Sequence, residues 1–202
     1  AQLLNTDNLD AQTRKHYTGI IKNSSNQLLR IIDDILDVSK LDVGQMTIHK
    51  DRYIADLILD ELEEIFLQKI KDEKLNINLI NAAENKGVKI YTDNVRLKQI
   101  LTNLLDNAVK YTIEGTITFG YKIKEKNELL FFVKDTGCGI SKDLQKYIFT
   151  RFSRLENDYY KTVRGTGLGL AISKGLVELL GGEIYFESDG KSGTEFYFTH
   201  PI

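Results

Sequence analysis

The segment Asn103-Leu-Leu-Asp-Asn107-Ala-Val-Lys110-Tyr111-Thr112 closes a strong helical pattern that covers residues 95–110. A helix places residues three or four apart on one face, which here carries two carboxamides and a lysine and ends at an aromatic ring: Asn103, Asn107, Lys110 and Tyr111. Two carboxamides four residues apart can offer neutral oxygens to a hard cation such as Mg²⁺, and the lysine can meet phosphate charge. The alternative is an ordinary helix whose polar residues point to solvent.

A second motif, Asp135-Thr-Gly137-Cys-Gly139-Ile140, directly follows a predicted strand. A carboxylate at the end of a strand can accept a hydrogen bond from an exocyclic amine such as that of adenine. The two glycines allow a tight turn and let the backbone approach a flat ligand closely. A plain Asp-Gly turn is the alternative interpretation.

Two further motifs come later in the chain. In Ile148-Phe149-Thr-Arg151-Phe152-Ser-Arg154, the two phenylalanines are predicted to pack in the core, and Arg154 is either a phosphate contact or a surface charge. The fourth motif, Gly165-Thr166-Gly167-Leu168-Gly169-Leu170-Ala171, opens a helix, where backbone amides and the helix dipole favour an anion. Its spacing differs from a dinucleotide-binding fingerprint, and no lysine follows the last glycine as a P-loop requires.

The first 44 residues show a different pattern, a long helix with a heptad seam. The seam residues alternate in spacings of four and three: Tyr17, Ile21, Ser24, Leu28, Ile31, Ile35 and Val38. Asp10 or Thr13 can cap the start of this helix. A lone helix cannot bury such a seam, so we expect a helical bundle, with packing on the chain's own second domain as the alternative. The boundary is predicted near Gly44, which gives domains at 1–44 and 45–202.

The remainder of the chain alternates between short strands and amphipathic helices. Strands are predicted at 47–53, 77–80, 88–91, 116–123, 129–134, 184–188 and 195–198. Helices are predicted at 56–71, 95–110, from Ser141 to about 149, and 168–180, with residues 156–164 as a loop. This order favours an α+β two-layer sandwich, with one mixed sheet and helices on one face.

Composition limits the classes of function. The 202 residues carry a formal net charge of −2, which leaves no basic footprint for nucleic acid. Cys138 is the only cysteine, so an intrachain disulfide and a cysteine cluster for metal are excluded. No apolar run reaches the roughly 18 residues of a membrane helix, so we expect any membrane attachment to come from other parts of a parent protein.

The four motifs, in this order, resemble the N, G1, F and G2 boxes of histidine kinases. That family belongs to the superfamily that also contains the DNA gyrase ATPase subunit, the heat-shock chaperone ATPase and the mismatch-repair ATPase. Lys191-Ser-Gly193-Thr194-Glu-Phe, in the last predicted hairpin, is similar to the family's final glycine box. The resemblance covers nearly all of residues 10–202 and implies the Bergerat ATP-binding fold, with ATP and Mg²⁺ as cofactors.

The resemblance also implies roles for the matching residues. Metal and phosphate contacts would come from the helix and from the residue before the lid at 156–164: Asn103, Asn107, Lys110 and Arg154. Of these, Asn107 and Asn103 would be the Mg²⁺ ligands. Adenine contacts would come from the helix end and the second motif: Tyr111, Asp135, Gly137, Gly139 and Ile140. The lid, the glycine-rich turn and the last hairpin would supply further contacts: Lys161, Arg164, Thr166, Gly167, Leu168, Gly169 and Thr194.

The residue type at position 103 distinguishes between the candidate functions. In hydrolytic members of the superfamily the corresponding residue is a glutamate that acts as general base, whereas a carboxamide cannot take a proton at neutral pH. The resemblance therefore implies a protein-histidine kinase that transfers the γ-phosphoryl group to a histidine, for relay to an aspartate of a response regulator. The alternatives are a hydrolytic ATPase or protein-serine kinase of the same superfamily, or an inactive nucleotide-binding interaction module.

The family's phosphate-accepting histidine lies in a His-Glu-x-x-x-Pro motif on the first helix of a dimerisation hairpin. None of the histidines His16, His49 and His200 is followed by an acidic residue, and the only proline is Pro201. We expect the acceptor to lie upstream of Ala1, with residues 1–4 as the end of its helix and 5–9 as the turn. The parent would be a homodimer, and this region would be its cytoplasmic part, with any inner-membrane anchor supplied elsewhere.

Overall fold

The computed structural model of the protein describes residues 10–84, 86–125, 127–153 and 166–202. The helices in these ranges are α1 (Ala11–Asp42), α2 (Ala55–Asp72), α3 (Asn94–Tyr111), α4 (Lys142–Gln145) and α5 (Gly169–Leu180). The strands are β1 (Asp51–Ile54), β2 (Asn76–Asn81), β3 (Lys89–Thr92), β4 (Glu114–Glu125), β5 (Glu128–Asp135), β6 (Ile184–Glu187) and β7 (Thr194–Pro201). The predicted segment at 1–9 and the predicted loop at 156–164 lie outside the described residues.

The larger of two sheets is mixed. Its strand order is β2-β4-β5-β7-β6, in which β2 and β4 run parallel and the other neighbouring pairs run antiparallel. β1 and β3 form a separate antiparallel pair, with Asp51 opposite Thr92. The mixed sheet predicted from the sequence is confirmed.

One face of the mixed sheet carries the core. Because side chains alternate between the two faces of a strand, every second residue of the central strands is buried there: Ile117, Phe119, Tyr121, Leu129, Phe131, Val133, Phe196 and Phe198. Helices α2, α3 and α5 contribute apolar side chains to the same cluster. The predicted two-layer sandwich, with helices on one face, is therefore confirmed.

α3 shows how the sequence positions polar residues beside this core. The Asp93 carboxylate caps the helix by accepting a hydrogen bond from the Arg96 N–H at 3.1 Å. The buried stripe of α3 recurs at helical spacing: Leu97, Ile100, Leu101, Leu104, Leu105, Ala108 and Val109. Because this stripe faces the sheet, Asn103 and Asn107 lie on the flank of the helix and are half-buried.

α1 leaves much of its apolar surface exposed. Its cap is Asp10, whose carboxylate accepts a hydrogen bond from the Thr13 N–H at 2.8 Å. Near the other end of α1, Val38 and Leu41 pack against the sandwich. Ile31 is half-buried, and the other large aliphatic residues of α1 are exposed: Ile20, Ile21, Leu28, Leu29, Ile32, Ile35 and Leu36. None of the helices in the described ranges, α1 included, is long and apolar enough to cross a membrane.

Two predicted elements are shorter than expected. The strand expected at 47–53 is reduced to β1, because its pairing partner β3 is itself four residues long. His49 therefore precedes the strand, and its N–H donates to the Asp93 carboxylate at 2.9 Å. The helix expected to run from Ser141 to about 149 ends at Gln145, after which hydrogen bonds between residues three apart form tight turns.

The prediction that Phe152 packs in the core is wrong. Its side chain is 68% exposed, and its φ of 59° lies in the left-handed region. Its N–H donates to the Gly167 carbonyl at 2.9 Å, so a backbone bond, not a buried ring, holds this point of the chain. Phe149 is partly buried and meets the rings of Phe186 and Phe196 edge-on, as a core residue should.

Candidate nucleotide-binding site

The Asn103 side chain links α3 to the start of α5. Its amide nitrogen donates to the Gly169 carbonyl at 3.2 Å and to Ser173 Oγ at 3.3 Å. A carboxamide has its donors on nitrogen and its acceptor on oxygen, so these bonds leave the Asn103 oxygen available for another partner. Asn107 follows one helical turn later on the same flank.

Tyr111 ends α3 beside the second motif. Lys110 Nζ lies 4.7 Å from the centroid of the Tyr111 ring, which is a cation–π contact. The Tyr111 carbonyl accepts a hydrogen bond from the Cys138 N–H at 3.4 Å. A Cβ at position 137 would overlap this carbonyl, so Gly137 is required for the turn to lie this close to the helix end.

The Asp135 carboxylate is buried at the end of β5, with 7% of the residue exposed. Its Oδ1 accepts a hydrogen bond from the Gly137 N–H at 2.8 Å, and the Thr194 N–H also donates to the carboxylate. Burial raises the pKa of this carboxyl to about 6, and the two N–H donors oppose that rise. At neutral pH the group is a desolvated anion, which is a strong acceptor for a bound amine.

Ser188 joins the second motif to the last hairpin. Its Oγ accepts a hydrogen bond from the Ile140 N–H at 2.9 Å and donates to the Gly193 carbonyl at 2.8 Å. Gly139 has a φ of 71° and lies against this hairpin, where a Cβ would crowd the Ser188 hydroxyl. Thr194 is buried directly opposite Asp135 in the β5–β7 register.

The glycine-rich turn is described from Thr166 onward. Gly167 has a φ of 70°, and a Cβ there would collide with the backbone of Phe152 and Ser153. Leu168 is buried and precedes the first residue of α5, Gly169. The first amides of a helix have no carbonyl partner within the helix, so this turn presents donors suited to an anion.

The structure brings the described candidates together around α3. Asn103 reaches the glycine-rich turn, Tyr111 reaches the second motif, and Asp135 reaches the last hairpin. Three of the expected phosphate-side residues lie outside the described residues: Arg154, Lys161 and Arg164.

Sequence reasoning missed three polar residues at this site. Ser188 and Ser173 carry no motif signal, because a serine at a strand end or in a helix is common and its partner is far away in sequence. Asp34 is the third, and its carboxylate accepts a hydrogen bond from the Thr166 hydroxyl. Asp34 belongs to none of the four motifs and to no seam position of α1, and its contact with the turn is visible only in the folded chain.

A mixed-sheet sandwich with a buried acceptor carboxylate and a glycine-rich helix start defines an ATP-binding domain. The chain belongs to the family described as histidine kinase-, DNA gyrase B- and HSP90-like ATPases, which matches residues 92–202. Membership of this family confirms the resemblance inferred from the four motifs.

The similarity to known proteins also includes residues that precede the family match at 92–202. The sensor histidine kinase GacS of Pseudomonas protegens is 36% identical over 188 residues, which is 91% of this chain and 20% of GacS. Full-length ShkA in complex with AMPPNP has a TM-score of 0.77 and 27% identity over 98% of this chain and 41% of ShkA. The histidine kinase ThkA, in complex with the response regulator TrrA, has a TM-score of 0.71 and 25% identity over 99% of this chain and 55% of ThkA. The chain thus spans 20% of the length of its curated relative GacS.

Proposed function

We propose that this chain is the catalytic region of a sensor histidine kinase, which presents the γ-phosphoryl group of Mg²⁺-ATP to a histidine side chain. The observation that carries the proposal is the Asn103 carboxamide, which lies against the glycine-rich turn and donates to the Gly169 carbonyl. A carboxamide cannot take a proton from water at neutral pH. ATP held beside it would persist until a stronger nucleophile arrives.

The adenine end of the nucleotide would lie between α3 and the second motif. The buried Asp135 carboxylate supplies an acceptor for the exocyclic amine, and the Gly137 N–H fixes its orientation. The Tyr111 ring offers an apolar surface beside the same turn. A guanine base would bring an oxygen to the carboxylate instead of an amine, so this arrangement favours adenine.

The donor set on α3 fits Mg²⁺. This ion prefers oxygen ligands and is usually held by one or two protein groups together with substrate phosphates. The Asn103 oxygen is left available by the bonds of its amide nitrogen, and Asn107 adds a second carboxamide one turn away. These two residues would hold the ion, which would neutralise phosphate charge during transfer.

In the proposed reaction, an imidazole nitrogen attacks the γ-phosphorus in line with the oxygen that bridges to the β-phosphate. A nitrogen–phosphorus bond forms, the bond to the bridging oxygen breaks, ADP leaves with its electron pair, and the imidazole gives up its ring proton to solvent. The chain positions the nucleotide and offsets its charge, through Lys110 and the amides of Gly167, Leu168 and Gly169. Further phosphate charge would be offset by three basic residues, Arg154, Lys161 and Arg164.

We infer that the accepting histidine is not one of the three in this chain. His200 is fully buried, with Nε2 2.9 Å from Thr92 Oγ1, and burial lowers its pKa. His49 is held through its backbone at the start of the sandwich. His16 is exposed on α1 but lacks the acidic neighbour and the proline of the acceptor motif.

The exposed apolar stripe of α1 and the complex formed by a similar protein support two kinds of partner. Residues 1–44 would be part of a dimerisation hairpin, with the exposed stripe of α1 packing against other helices of the bundle. The aspartate that finally receives the phosphoryl group would belong to a response-regulator receiver domain, as the complex of ThkA with TrrA suggests.

Calorimetric titration of the chain with AMPPNP, with and without Mg²⁺, tests the proposal. We expect saturable binding that Mg²⁺ strengthens, and an Asn107→Ala variant should lose most of the Mg²⁺-dependent part. Asn26→Ala, on the exposed surface of α1, is the matched control and should bind as the parent does. The absence of binding, or steady release of inorganic phosphate from ATP, would contradict the proposal.

Incubation with γ-labelled ATP tests the assignment of the acceptor. We expect the chain alone to remain unlabelled, because it carries no histidine in the acceptor motif. Base-stable, acid-labile label on His16 would show that α1 itself supplies the acceptor, contrary to this assignment.

A further inference from the structure

Asp34 of α1 is connected to the glycine-rich turn by two hydrogen bonds in series. The Thr166 hydroxyl donates to Asp34 Oδ2 at 3.1 Å. The same Thr166 Oγ1 accepts a hydrogen bond from the Leu168 N–H at 3.2 Å. One threonine side chain therefore joins the long helix to a backbone amide at the start of α5.

The surroundings hold Asp34 in this position. Burial raises the pKa of the Asp34 carboxyl above its usual range, and the Thr166 hydrogen bond opposes that rise, so the bond stabilises the charged form. One turn later, the Asp37 carboxylate contacts Arg96 Nη1 at 3.2 Å and accepts a hydrogen bond from Gln99 Nε2 at 2.7 Å. α1 is thus docked on α3 and on the glycine-rich turn along a single face.

The hydrogen bonds leave the Leu168 amide already occupied. A phosphate seated on the turn would need that N–H, which is one of the donors that the proposed function assigns to it. The N–H cannot point at full strength to both Thr166 Oγ1 and a phosphate oxygen, because a strong hydrogen bond is nearly linear. Seating the phosphate would require the Thr166 side chain to rotate away, which also breaks its bond to Asp34.

Building on the proposed nucleotide site, we propose that Asp34 is a positioning residue that holds Thr166 over the Leu168 amide, so that docking of α1 and phosphate binding at this amide oppose each other. Coupling between two binding equilibria is reciprocal. Removing the Asp34 contact strengthens nucleotide binding, and nucleotide binding weakens the docking of α1. A nucleotide would thereby loosen the helix from the sandwich.

A graded series at position 34 tests this inference by calorimetry with Mg²⁺ and AMPPNP. Asp34→Ala removes the acceptor, and we expect roughly three- to tenfold tighter binding. Asp34→Asn keeps a neutral acceptor for the Thr166 hydroxyl and should fall between Asp34→Ala and the parent. Asp33→Ala removes the same charge from the exposed neighbouring position and should leave the affinity unchanged.

A double-mutant cycle separates the contact from simple charge repulsion. In a Thr166→Val background, the link to Asp34 is already broken, so Asp34→Ala should no longer change the affinity. An equal gain in both backgrounds would show that the carboxylate merely repels phosphate, and this would overturn the inference. An unchanged affinity for Asp34→Ala in the wild-type background would also overturn it. A parent chain that fails to bind AMPPNP at all would instead refute the proposed function.

Discussion

α1 and α3 are both amphipathic helices, yet they differ in how far their leucine side chains are buried. In α3, Leu101 and Leu104 are completely buried against the sheet, whereas in α1 Leu28 and Leu29 are each 59% exposed. Burial of apolar surface stabilises a protein by roughly 25 cal/mol per Å², so α3 gains this free energy inside its own domain. The stripe of α1 gains it only by packing on another surface. The comparison contrasts a sandwich that buries its own apolar residues with a helix that leaves most of its apolar residues exposed.

The contacts between α1 and the sandwich support this distinction. Besides Val38 and Leu41, they are polar, and they include the bonds of Asp34 and Asp37 to Thr166, Arg96 and Gln99. Two further ion pairs are more exposed: Arg30 pairs with Asp106 at 3.6 Å, and Asp42 pairs with Arg151. Partly exposed ion pairs contribute little and exchange readily with water. Breaking such contacts exposes little of the apolar core, because Val38 and Leu41 are the α1 residues that pack against it.

The largest expected contrast is in the free energy of unfolding. Leu101→Ala should cost about 2–5 kcal/mol, because it leaves a cavity in a fully buried site. Leu29→Ala, the same change on α1, should stay within about 0.5 kcal/mol in dilute solution. Urea denaturation followed by circular dichroism measures both values. Similar losses for the two variants would show that α1 belongs to the same cooperative core.

The next contrast lies within the sandwich, where Asp135→Asn should reduce nucleotide affinity without abolishing cooperative unfolding. Asp135→Asn presents an amide donor where adenine needs an acceptor, and a buried mismatch costs about 1–3 kcal/mol, or roughly five- to 150-fold in affinity. Calorimetry with AMPPNP measures this loss, while the variant should still unfold cooperatively. An unchanged affinity would place the base somewhere other than beside β5.

A smaller effect is expected from pH. With its pKa near 6, Asp135 is mostly protonated at pH 5, so the affinity of the parent for AMPPNP should fall by up to about tenfold between pH 7 and pH 5. The folded-state pKa lies above the usual 3.8, so the folded state binds more protons in the window between these values. Acidification from about pH 6 to about pH 4 therefore stabilises the fold through this group while it weakens binding.

Asp135→Asn is the control for this titration, because nucleotide phosphates also take up protons in the same range. Its affinity should change less with pH than that of the parent, and the difference between the two profiles isolates the carboxyl. Parallel profiles would mean that Asp135 does not titrate in this window.

The smallest effect concerns the docking of α1. Asp37→Ala removes the contacts with Arg96 and Gln99, and we expect a loss of about 1 kcal/mol, because Arg96 keeps its hydrogen bond to the Gln99 side-chain oxygen at 2.8 Å. Faster amide hydrogen exchange at the end of α1, with unchanged exchange in β5, would report this loosening. Faster exchange in both elements would show that α1 and the sandwich open as one unit.

The fold could be predicted from sequence because its signals are local. The periodicity of α3 and the alternation in β4 and β5 each lie within one continuous segment, and so do the glycines that end α5. The failures arose where partners from elsewhere decide the outcome. β1 is limited by the length of β3, and Phe152 is turned outward by a backbone bond to Gly167.

The candidate site shows the same division. The second motif and the glycine-rich turn carry recognisable residue patterns, so Asp135 and Gly167 could be singled out from sequence. The raised pKa of Asp135 could not be predicted from sequence. It depends on burial and on the Thr194 N–H, and both come from parts of the sheet that are distant in sequence. Ser188 and Asp34 likewise take their roles from residues far along the chain.

The pairing of Asp135 with Thr194 across β5 and β7 has a consequence for how the protein is made. The buried Asp135 carboxylate, the proposed adenine acceptor, receives one of its backbone donors from β7, and Ser188 joins Ile140 to Gly193. During synthesis the second motif leaves the ribosome well before β7 exists, and such long-range pairings form late. A nascent chain halted before Thr194 therefore carries all four motifs without the strand that completes the surroundings of Asp135.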